Sequence, residues 1–215
     1  MDLDDRRPFE DRKMAGQELA ARLRKYAGRS DVLVLALPRG GVPMGGVIAQ
    51  AIGAELEIIV PRKIGHPTND EYAIGALAED GDVIWNERER ALVPMDWQQQ
   101  AIEKERAESQ RRRSLYGQGR PRKSFAGRDV ILVDDGIATG LTIRAAISTI
   151  QKENPKRISI AIPVAPQDSL DALNPYVDRI ICLETPVFFG AIGSHYESFP
   201  QTTDQQVIDL MQKYL

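Results

Sequence analysis

The sequence is poor in the residues that define several special classes of protein. Among its 215 residues there is one cysteine, Cys182, and there are only two histidines, His66 and His195. One cysteine excludes a disulfide framework and a zinc site built from thiolates, and the two histidines lack metal-ligand spacing. No apolar run reaches the roughly 18–20 residues that span a bilayer. Disulfide-rich, zinc-finger and membrane-spanning proteins are therefore not expected.

Neither sign of charge dominates. The chain carries 28 Lys+Arg against 31 Asp+Glu, a net charge of −3, which argues against nucleic-acid binding as its main task. Nine basic residues fall in 104–128, but Glu105 and Glu108 are interleaved, so this stretch is predicted to be a solvated helix face. Met1–Lys13 is charged and lacks the apolar core of a signal peptide. A cytoplasmic protein is expected.

Short apolar runs alternate with segments of helical spacing. The runs are rich in β-branched residues and apolar almost throughout, which suits strands buried on both faces of a parallel sheet. Apolar residues at helical spacing follow two of them, at Met44–Ala51 and Ile143–Ile150. This alternation predicts an α/β, Rossmann-like fold with a parallel sheet of about five strands. The predicted strands are Val32–Leu37, Leu56–Val60, Val130–Val133, Ile158–Val164 and Arg179–Leu183.

We predict one domain over 1–215, with a core of about 30–60 and 128–184 and a hood formed by the N-terminal helix, the insertion 61–127 and the C-terminal segment 185–215. Residues 9–27 have the spacing of an amphipathic helix. The insertion 61–127 is predicted to contain a hairpin, Tyr72–Ala78 with Val83–Trp85, and then a polar helix from about Asp96 to Leu115. The C-terminal segment 185–215 is loop-rich until a capping box of Thr203 and Gln206 begins a last helix.

The stretch Val130–Thr142 carries the most chemical information. A buried strand ends in Asp134 and Asp135, a turn with two glycines follows, and a helix begins near Thr142. Ligands of open α/β sheets bind at the carboxyl ends of strands. Glycines allow backbone N–H groups to approach a phosphate, and a helix N-terminus adds unpaired donors. The loop is therefore predicted to hold a phosphate.

Two carboxylates beside a phosphate would repel it unless something lies between them. They make sense if they accept hydrogen bonds from sugar hydroxyls, or bind Mg²⁺ directly or through water. A phosphorylated ribose presents this combination. The alternative is a plain strand–turn–helix in which Asp134 and Asp135 only cap the helix.

This stretch resembles the phosphoribosyl diphosphate (PRPP) signature of the type I phosphoribosyltransferases, in which an apolar strand is followed by Asp-Asp, two residues and Ala-Thr-Gly-x-Thr. The resemblance extends over nearly the whole chain, to a subfamily of predicted phosphoribosyltransferases. The other segments that carry it are Leu37–Gly41, Arg62–Gly65, Val164–Pro166, Thr185-Pro186 and Phe188–Gly193.

The resemblance implies roles for individual residues. Asp134 and Asp135 are the implied catalytic pair, which would hold the ribose hydroxyls and order Mg²⁺, the one implied cofactor. The implied 5′-phosphate loop is Gly136, Ile137, Ala138, Thr139, Gly140, Leu141 and Thr142. The implied diphosphate site is Arg39, Gly40, Gly41 and Lys63, and the implied acceptor hood includes Phe188 and Phe189.

The implied activity is Mg²⁺-dependent transfer of phosphoribose from PRPP to a nitrogenous acceptor, such as a nucleobase, with release of diphosphate. Ala138 stands where the 6-oxopurine enzymes have an acid, which weakens hypoxanthine or guanine as the acceptor. The implied partners are PRPP and a small acceptor, with a homodimer as the assembly to test. One alternative is a PRPP-binding regulator that uses Arg111–Lys123 to bind a partner. Another is a phosphohydrolase with Asp134 as nucleophile, although its Asp-x-Asp-Gly-Thr/Val pattern is absent.

Overall fold

The computed structural model describes residues 8–214. The charged first residues, on which the expectation of no signal peptide rests, lie mostly outside this range. In chain order the elements are α1 (Arg12–Arg22), β1 (Val32–Ala36), α2 (Gly41–Ile52), β2 (Glu55–Ile58), β3 (Arg62–His66), β4 (Asn69–Leu77), β5 (Val83–Trp85), α3 (Glu87–Arg90), α4 (Met95–Gly117), β6 (Asp129–Val133), α5 (Leu141–Gln151), β7 (Arg157–Val164), α6 (Gln167–Leu173), β8 (Arg179–Glu184) and α7 (Asp204–Met211).

The central sheet has five parallel strands in the order β2-β1-β6-β7-β8. The predicted α/β fold and its five parallel strands are confirmed. All five residues of β1 are buried, and alternate residues supply the two faces. Val32 and Val34 pack towards α1 and α2, whereas Leu33 and Leu35 pack with residues of α5 and α6. Burial on both faces is the physical reason for the uninterrupted apolar runs.

The helices at the two ends of the chain lie on the same side of the sheet. Helix α1 contacts α2, β7 and β8, and its Leu19 is fully buried. Helix α7 packs on α2 and α4, and its predicted capping box of Thr203 and Gln206 is present. The N-terminal helix is thus part of the core layer as well as a neighbour of the loops above the sheet.

The insertion forms a second, antiparallel sheet in the order β3-β4-β5. The hairpin of β4 and β5 agrees with the sequence prediction, whereas β3 has a polar pattern that predicts no strand. The sheet packs on α5 through small side chains, Ala76 and Ala78 against Ala145. Within residues 8–214, every helix is too short or too polar to cross a membrane.

Internal acids pair with most of the basic side chains in the second half of α4 and the segment after it. Arg113 donates to Glu57 and to the carbonyl of Ile58, which attaches α4 to the edge of the central sheet. The other pairs are Arg111 and Arg112 with Glu108, Arg122 with Glu153, and Lys123 with Glu55. The pairs of Arg113, Arg122 and Lys123 therefore attach the insertion to the core, whereas the pairs with Glu108 lie within α4.

Candidate active site

The loop between β6 and α5 is anchored to α6 and leaves two of its residues exposed. Ser169 Oγ of α6 donates to the carbonyl of Ala138 at 2.6 Å. Gly140 has φ +74°, a left-handed conformation that favours glycine, and it stands at the N-cap of α5. No side chain in the described chain caps this helix, so its first N–H groups face the loop. Ala138 and Thr139 are exposed.

Ile137 does not match the role implied by the sequence. Its N–H donates to the carbonyl of Val164 at 3.0 Å, and its side chain is buried in the core. The prediction that the Ile137 N–H binds the 5′-phosphate is therefore wrong, because that donor already joins the loop to β7. The N–H groups of the predicted loop that remain are those of Gly136 and of Ala138–Thr142.

A second loop, at the end of β1, lies against the first. Leu37 N–H donates to the carbonyl of Val133 at 2.9 Å, and the Pro38–Arg39 peptide bond is cis. A Cβ on Gly41 would lie 2.5 Å from the Val133 carbonyl oxygen, and one on Gly40 would overlap the Asp135 carboxylate. Gly41 is required because the main chains of the two loops touch there, and a side chain at Gly40 would displace the Asp135 carboxylate.

The two carboxylates have different surroundings. Asp135 Oδ2 accepts from Arg12 Nε at 2.9 Å, and its carbonyl accepts from Tyr196 Oη at 2.7 Å. Arg12 also donates to the Pro200 carbonyl and stacks on Phe199, 3.7 Å from the ring centroid. Asp134 Oδ1 accepts from the Asp135 N–H at 2.9 Å, and Asp134 forms no ion pair within residues 8–214. Asp135 is thus anchored, whereas Asp134 is not.

Burial disfavours the ionised form of both acids. Burial, together with the charge of Asp135, raises the pKa of Asp134 well above its usual value. Burial also raises the pKa of Asp135, and the nearby Arg12 guanidinium opposes that rise. A cation or a set of hydroxyl donors beside Asp134 would therefore offset an existing electrostatic cost.

The predicted diphosphate residues divide into two groups. Arg39 lies in the loop with Gly40 and Gly41, and its Nη1 donates to Asp204 of α7 at 3.2 Å. Lys63 lies on β3, where its Nζ pairs with the exposed Glu71 at 2.9 Å. Lys63 faces a cavity of about 850 Å³ between the hairpin and α4, which Arg111 also lines. Arg39, Gly40 and Gly41 therefore lie together in one loop, whereas Lys63 lies in the wall of the neighbouring cavity.

The predicted hood residues lie in the segment after β8. Phe188 is 86% exposed, whereas Phe189 packs on His195 with ring centroids 5.3 Å apart. Ile192 contacts the phosphate loop so closely that a Cβ on Gly136 would lie 2.7 Å from Ile192 Cγ2. The segment therefore borders the loop, and Phe188 is the aromatic ring it leaves open to solvent.

Comparison with known proteins decides the family. The sequence model described as the phosphoribosyl transferase domain matches residues 9–198. The chain belongs to the phosphoribosyltransferase family. The Mycobacterium tuberculosis protein named "Putative phosphoribosyl transferase Rv0571c" is 38% identical over 207 residues, which are 95% of this chain and 46% of that protein. This phosphoribosyltransferase chain therefore spans about half the length of the curated relatives it matches.

Solved structures agree with this classification. The protein TT1426 from Thermus thermophilus is 34% identical, has a TM-score of 0.79, and the match covers 96% of this chain and 99% of that one. A hypoxanthine-guanine phosphoribosyltransferase from Bacillus anthracis has a TM-score of 0.51 at 14% identity, covering 94% of this chain and 97% of that one, which shows the fold alone. The predicted phosphoribosyltransferase classification and fold are thereby confirmed.

Several residues of this phosphoribosyltransferase site were missed from the sequence. Arg12 and Tyr196 support Asp135 from opposite ends of the chain, and Ser169 and Asp204 support the two loops. No local pattern marks them, because each contact joins segments far apart in sequence. The one local signal is Asp11, whose carboxylate caps α1 and so fixes the start of this helix at Arg12.

The donor set suits Mg²⁺ only together with a substrate. The described residues hold no group of three or more His, Cys, Asp or Glu side chains that could bind a metal. Mg²⁺ at phosphate sites, however, takes one or two carboxylates and completes its shell with phosphate oxygens and water. Asp134, without a cation partner, and Asp135 provide that number of carboxylates. The residues present therefore fit a magnesium ion that arrives with a phosphorylated ligand.

Proposed function

We propose that the chain transfers phosphoribose from PRPP to a nitrogenous acceptor, with release of diphosphate and with Mg²⁺ as cofactor. One observation carries the proposal: the exposed loop at the N-terminus of α5 and the loop of Arg39–Gly41 meet beside Asp134 and Asp135. In this proposal, donors for a monophosphate and for a diphosphate lie on either side of acceptors for sugar hydroxyls. PRPP has those groups in that order along the molecule.

The 5′-phosphate is held by the loop before α5. Its ligands are the backbone N–H groups of Ala138–Thr142 and the hydroxyls of Thr139 and Thr142. The α5 N-terminus adds a favourable dipole for an anion. Gly140 allows the turn that aims these donors inward.

The ribose and the reacting bond lie above the carboxylates. Asp134 accepts hydrogen bonds from the ribose hydroxyls. Asp135, which Arg12 holds, keeps Asp134 in position through the hydrogen bond from its N–H to Asp134 Oδ1. The anomeric carbon becomes positively charged as the diphosphate leaves, and the two carboxylates stabilise that charge. Bound Mg²⁺ would supply neutralisation of the leaving diphosphate.

The diphosphate is held by Arg39 and by the N–H of Gly40. The Gly41 N–H already donates to the Leu37 carbonyl at 3.0 Å, so Gly41 contributes by allowing the close contact with Val133. Lys63 contributes from the hairpin by exchanging Glu71 for a phosphate oxygen. The acceptor stacks on the exposed ring of Phe188, in the segment that borders Gly136 through Ile192. Ala138 supplies no acid for a 6-oxopurine ring, which leaves other nitrogenous bases as the better candidates.

A regulator that binds PRPP without turnover is the second hypothesis from the sequence. It needs Arg111–Lys123 as a free surface for a partner. Four of the basic side chains there, those of Arg111, Arg112, Arg113 and Arg122, are engaged with internal acids, which favours transfer over regulation.

The direct test is calorimetric titration with PRPP. We expect saturable binding that weakens strongly when Mg²⁺ is removed, because the carboxylates would then face the diphosphate unscreened. A screen of nucleobases and small amines for PRPP-dependent release of diphosphate then separates transfer from binding alone. Folded protein that binds no PRPP at millimolar concentration would contradict the proposal.

A second test addresses the hydroxyl of Thr142. Thr142→Ala removes one donor to a charged oxygen, worth about 1.5–3 kcal/mol, and should weaken PRPP binding about tenfold to a hundredfold. Thr142→Ser should recover most of the affinity, because it restores the hydroxyl. Ile143→Ala is the control: Ile143 is 1% exposed, so its loss should lower the melting temperature and leave the affinity of the folded protein unchanged. If Thr142→Ala and Thr142→Ser bind PRPP with equal affinity, the Thr142 hydroxyl does not contact the phosphate.

A further inference from the structure

Arg39 is held by a carboxylate from the other end of the chain. Its Nη1 donates to Oδ1 of Asp204, the first residue of α7, 165 positions away in sequence. Both side chains are partly buried, with 25% of Arg39 and 33% of Asp204 exposed. The contact therefore joins the diphosphate loop to the C-terminal helix.

Asp204 is itself held in place. Tyr116 Oη, on a residue with no exposed surface, donates to the same Oδ1 at 2.7 Å. Arg111 Nη2 lies 3.4 Å from the other oxygen. The hydrogen bond from Tyr116, followed by those from Arg39 and Arg111, lowers the pKa of Asp204, so the carboxylate stays ionised at neutral pH. Burial raises the pKa of Tyr116 to about 12, so its hydroxyl remains a donor.

This arrangement leaves Arg39 able to bind an anion. A guanidinium has five N–H donors, and the contact with Asp204 occupies one of them. The charge of Asp204 is shared with Tyr116 and Arg111, so it neutralises Arg39 only in part. A long side chain that is already ordered loses less conformational entropy when it binds a ligand. The Asp204 carboxylate therefore orients Arg39 more than it competes with a bound anion for the guanidinium.

We propose that Asp204, anchored by Tyr116, is a positioning residue that holds Arg39 ready for the diphosphate of PRPP. The proposal rests on the proposed function and assigns part of it to the C-terminal helix. It requires that the effect of Asp204 be confined to ligands that carry the diphosphate. Ribose 5-phosphate, which lacks it, should bind independently of Asp204.

The test compares both ligands on three variants, with Mg²⁺ present. Asp204→Asn should weaken PRPP about tenfold, the loss expected for one charge-assisted interaction, and change ribose 5-phosphate less than about twofold. Tyr116→Phe should weaken PRPP by a smaller factor, because the carboxylate remains but is no longer anchored. Asp209→Asn is the matched control: it removes the same charge from the same helix, where Asp209 bonds only to Gln205 among the described side chains, and should leave both affinities unchanged.

The sign of the change decides between positioning and competition. A carboxylate that merely competed with diphosphate for Arg39 would give tighter PRPP binding in Asp204→Asn, and that result would overturn the proposal. Equal weakening of both ligands would also overturn it, because it would indicate general damage. Should Asp204→Asn fail to fold, the comparison of the two ligands on Tyr116→Phe decides the question. If the unaltered protein binds ribose 5-phosphate but not PRPP, the proposed function itself fails.

Discussion

Replacing Gly140 by Val should abolish PRPP binding, with a loss of more than about a hundredfold in affinity. Gly140 has φ +74°, where a β-branched residue is strained. Its Cβ would also lie 3.3 Å from Leu173 Cδ1, so either the loop or the Leu173 side chain would have to move. Both effects displace N–H groups that the 5′-phosphate needs. Titration of the variant with PRPP measures the loss directly.

The control for this experiment is Gly28→Val. Gly28 has φ +72°, and a Cβ built there meets nothing within 4 Å. It therefore introduces nearly the same backbone strain at a place far from the site. We expect a lower melting temperature for both variants and a loss of affinity only for the one at position 140. Full PRPP affinity in Gly140→Val would show that this loop does not hold the phosphate.

Asp134→Asn should lower transfer activity by about a hundredfold or more, as expected when transition-state electrostatics are lost, while the protein becomes no less stable. Burial and the charge of Asp135 raise the pKa of Asp134, so the folded state prefers the protonated acid. Ionising it costs stability, and the free energy of unfolding falls as pH rises above 3.8, the ordinary value for this carboxyl. Asn removes that cost.

Melting temperatures as a function of pH provide the measurement. The stability gained by Asp134→Asn should be larger at about pH 7 than at about pH 4, because the carboxyl of the unfolded chain ionises above 3.8 while the folded state disfavours its ionised form. Asp135→Asn should gain less, because burial also raises the pKa of Asp135 but the substitution leaves Arg12, whose side chain is 11% exposed, without its carboxylate. A drop in stability for both variants alike would identify the pair as structural caps and contradict the catalytic assignment.

Burial on both faces explains why the central sheet could be predicted. Every residue of β1 and of β6 is buried, and that burial requires the apolar runs seen in the sequence. The phosphate loop is equally local, because its strand, glycines and helix start are contiguous. The strand β3 was missed because its Arg, Lys and His side chains are half-buried against α4 instead of forming a core.

The residues that hold the site in position could not be predicted from the sequence, and the reason is different. Arg12 and Asp135 are 123 residues apart, and Arg39 and Asp204 are 165 apart. Charged residues like these occur throughout the chain, so only the packing of α1 and α7 beside the sheet selects the partners. The role of Ile137 was predicted wrongly because its bond to Val164 depends on the neighbouring strand.

The contact between the two loops determines where this chain can tolerate change. At Gly40 and Gly41 the backbone of one loop touches Asp135 and the Val133 carbonyl of the other, with no room for a methyl group. A side chain at Gly41 would push the two loops apart, and one at Gly40 would displace the Asp135 carboxylate. Substitutions are instead accommodated in segments such as 185–189, where Val187 and Phe188 are 80% and 86% exposed. Substitutions in the segment 185–189 can therefore change which acceptor is preferred, while the two contacting loops keep the shape of the site.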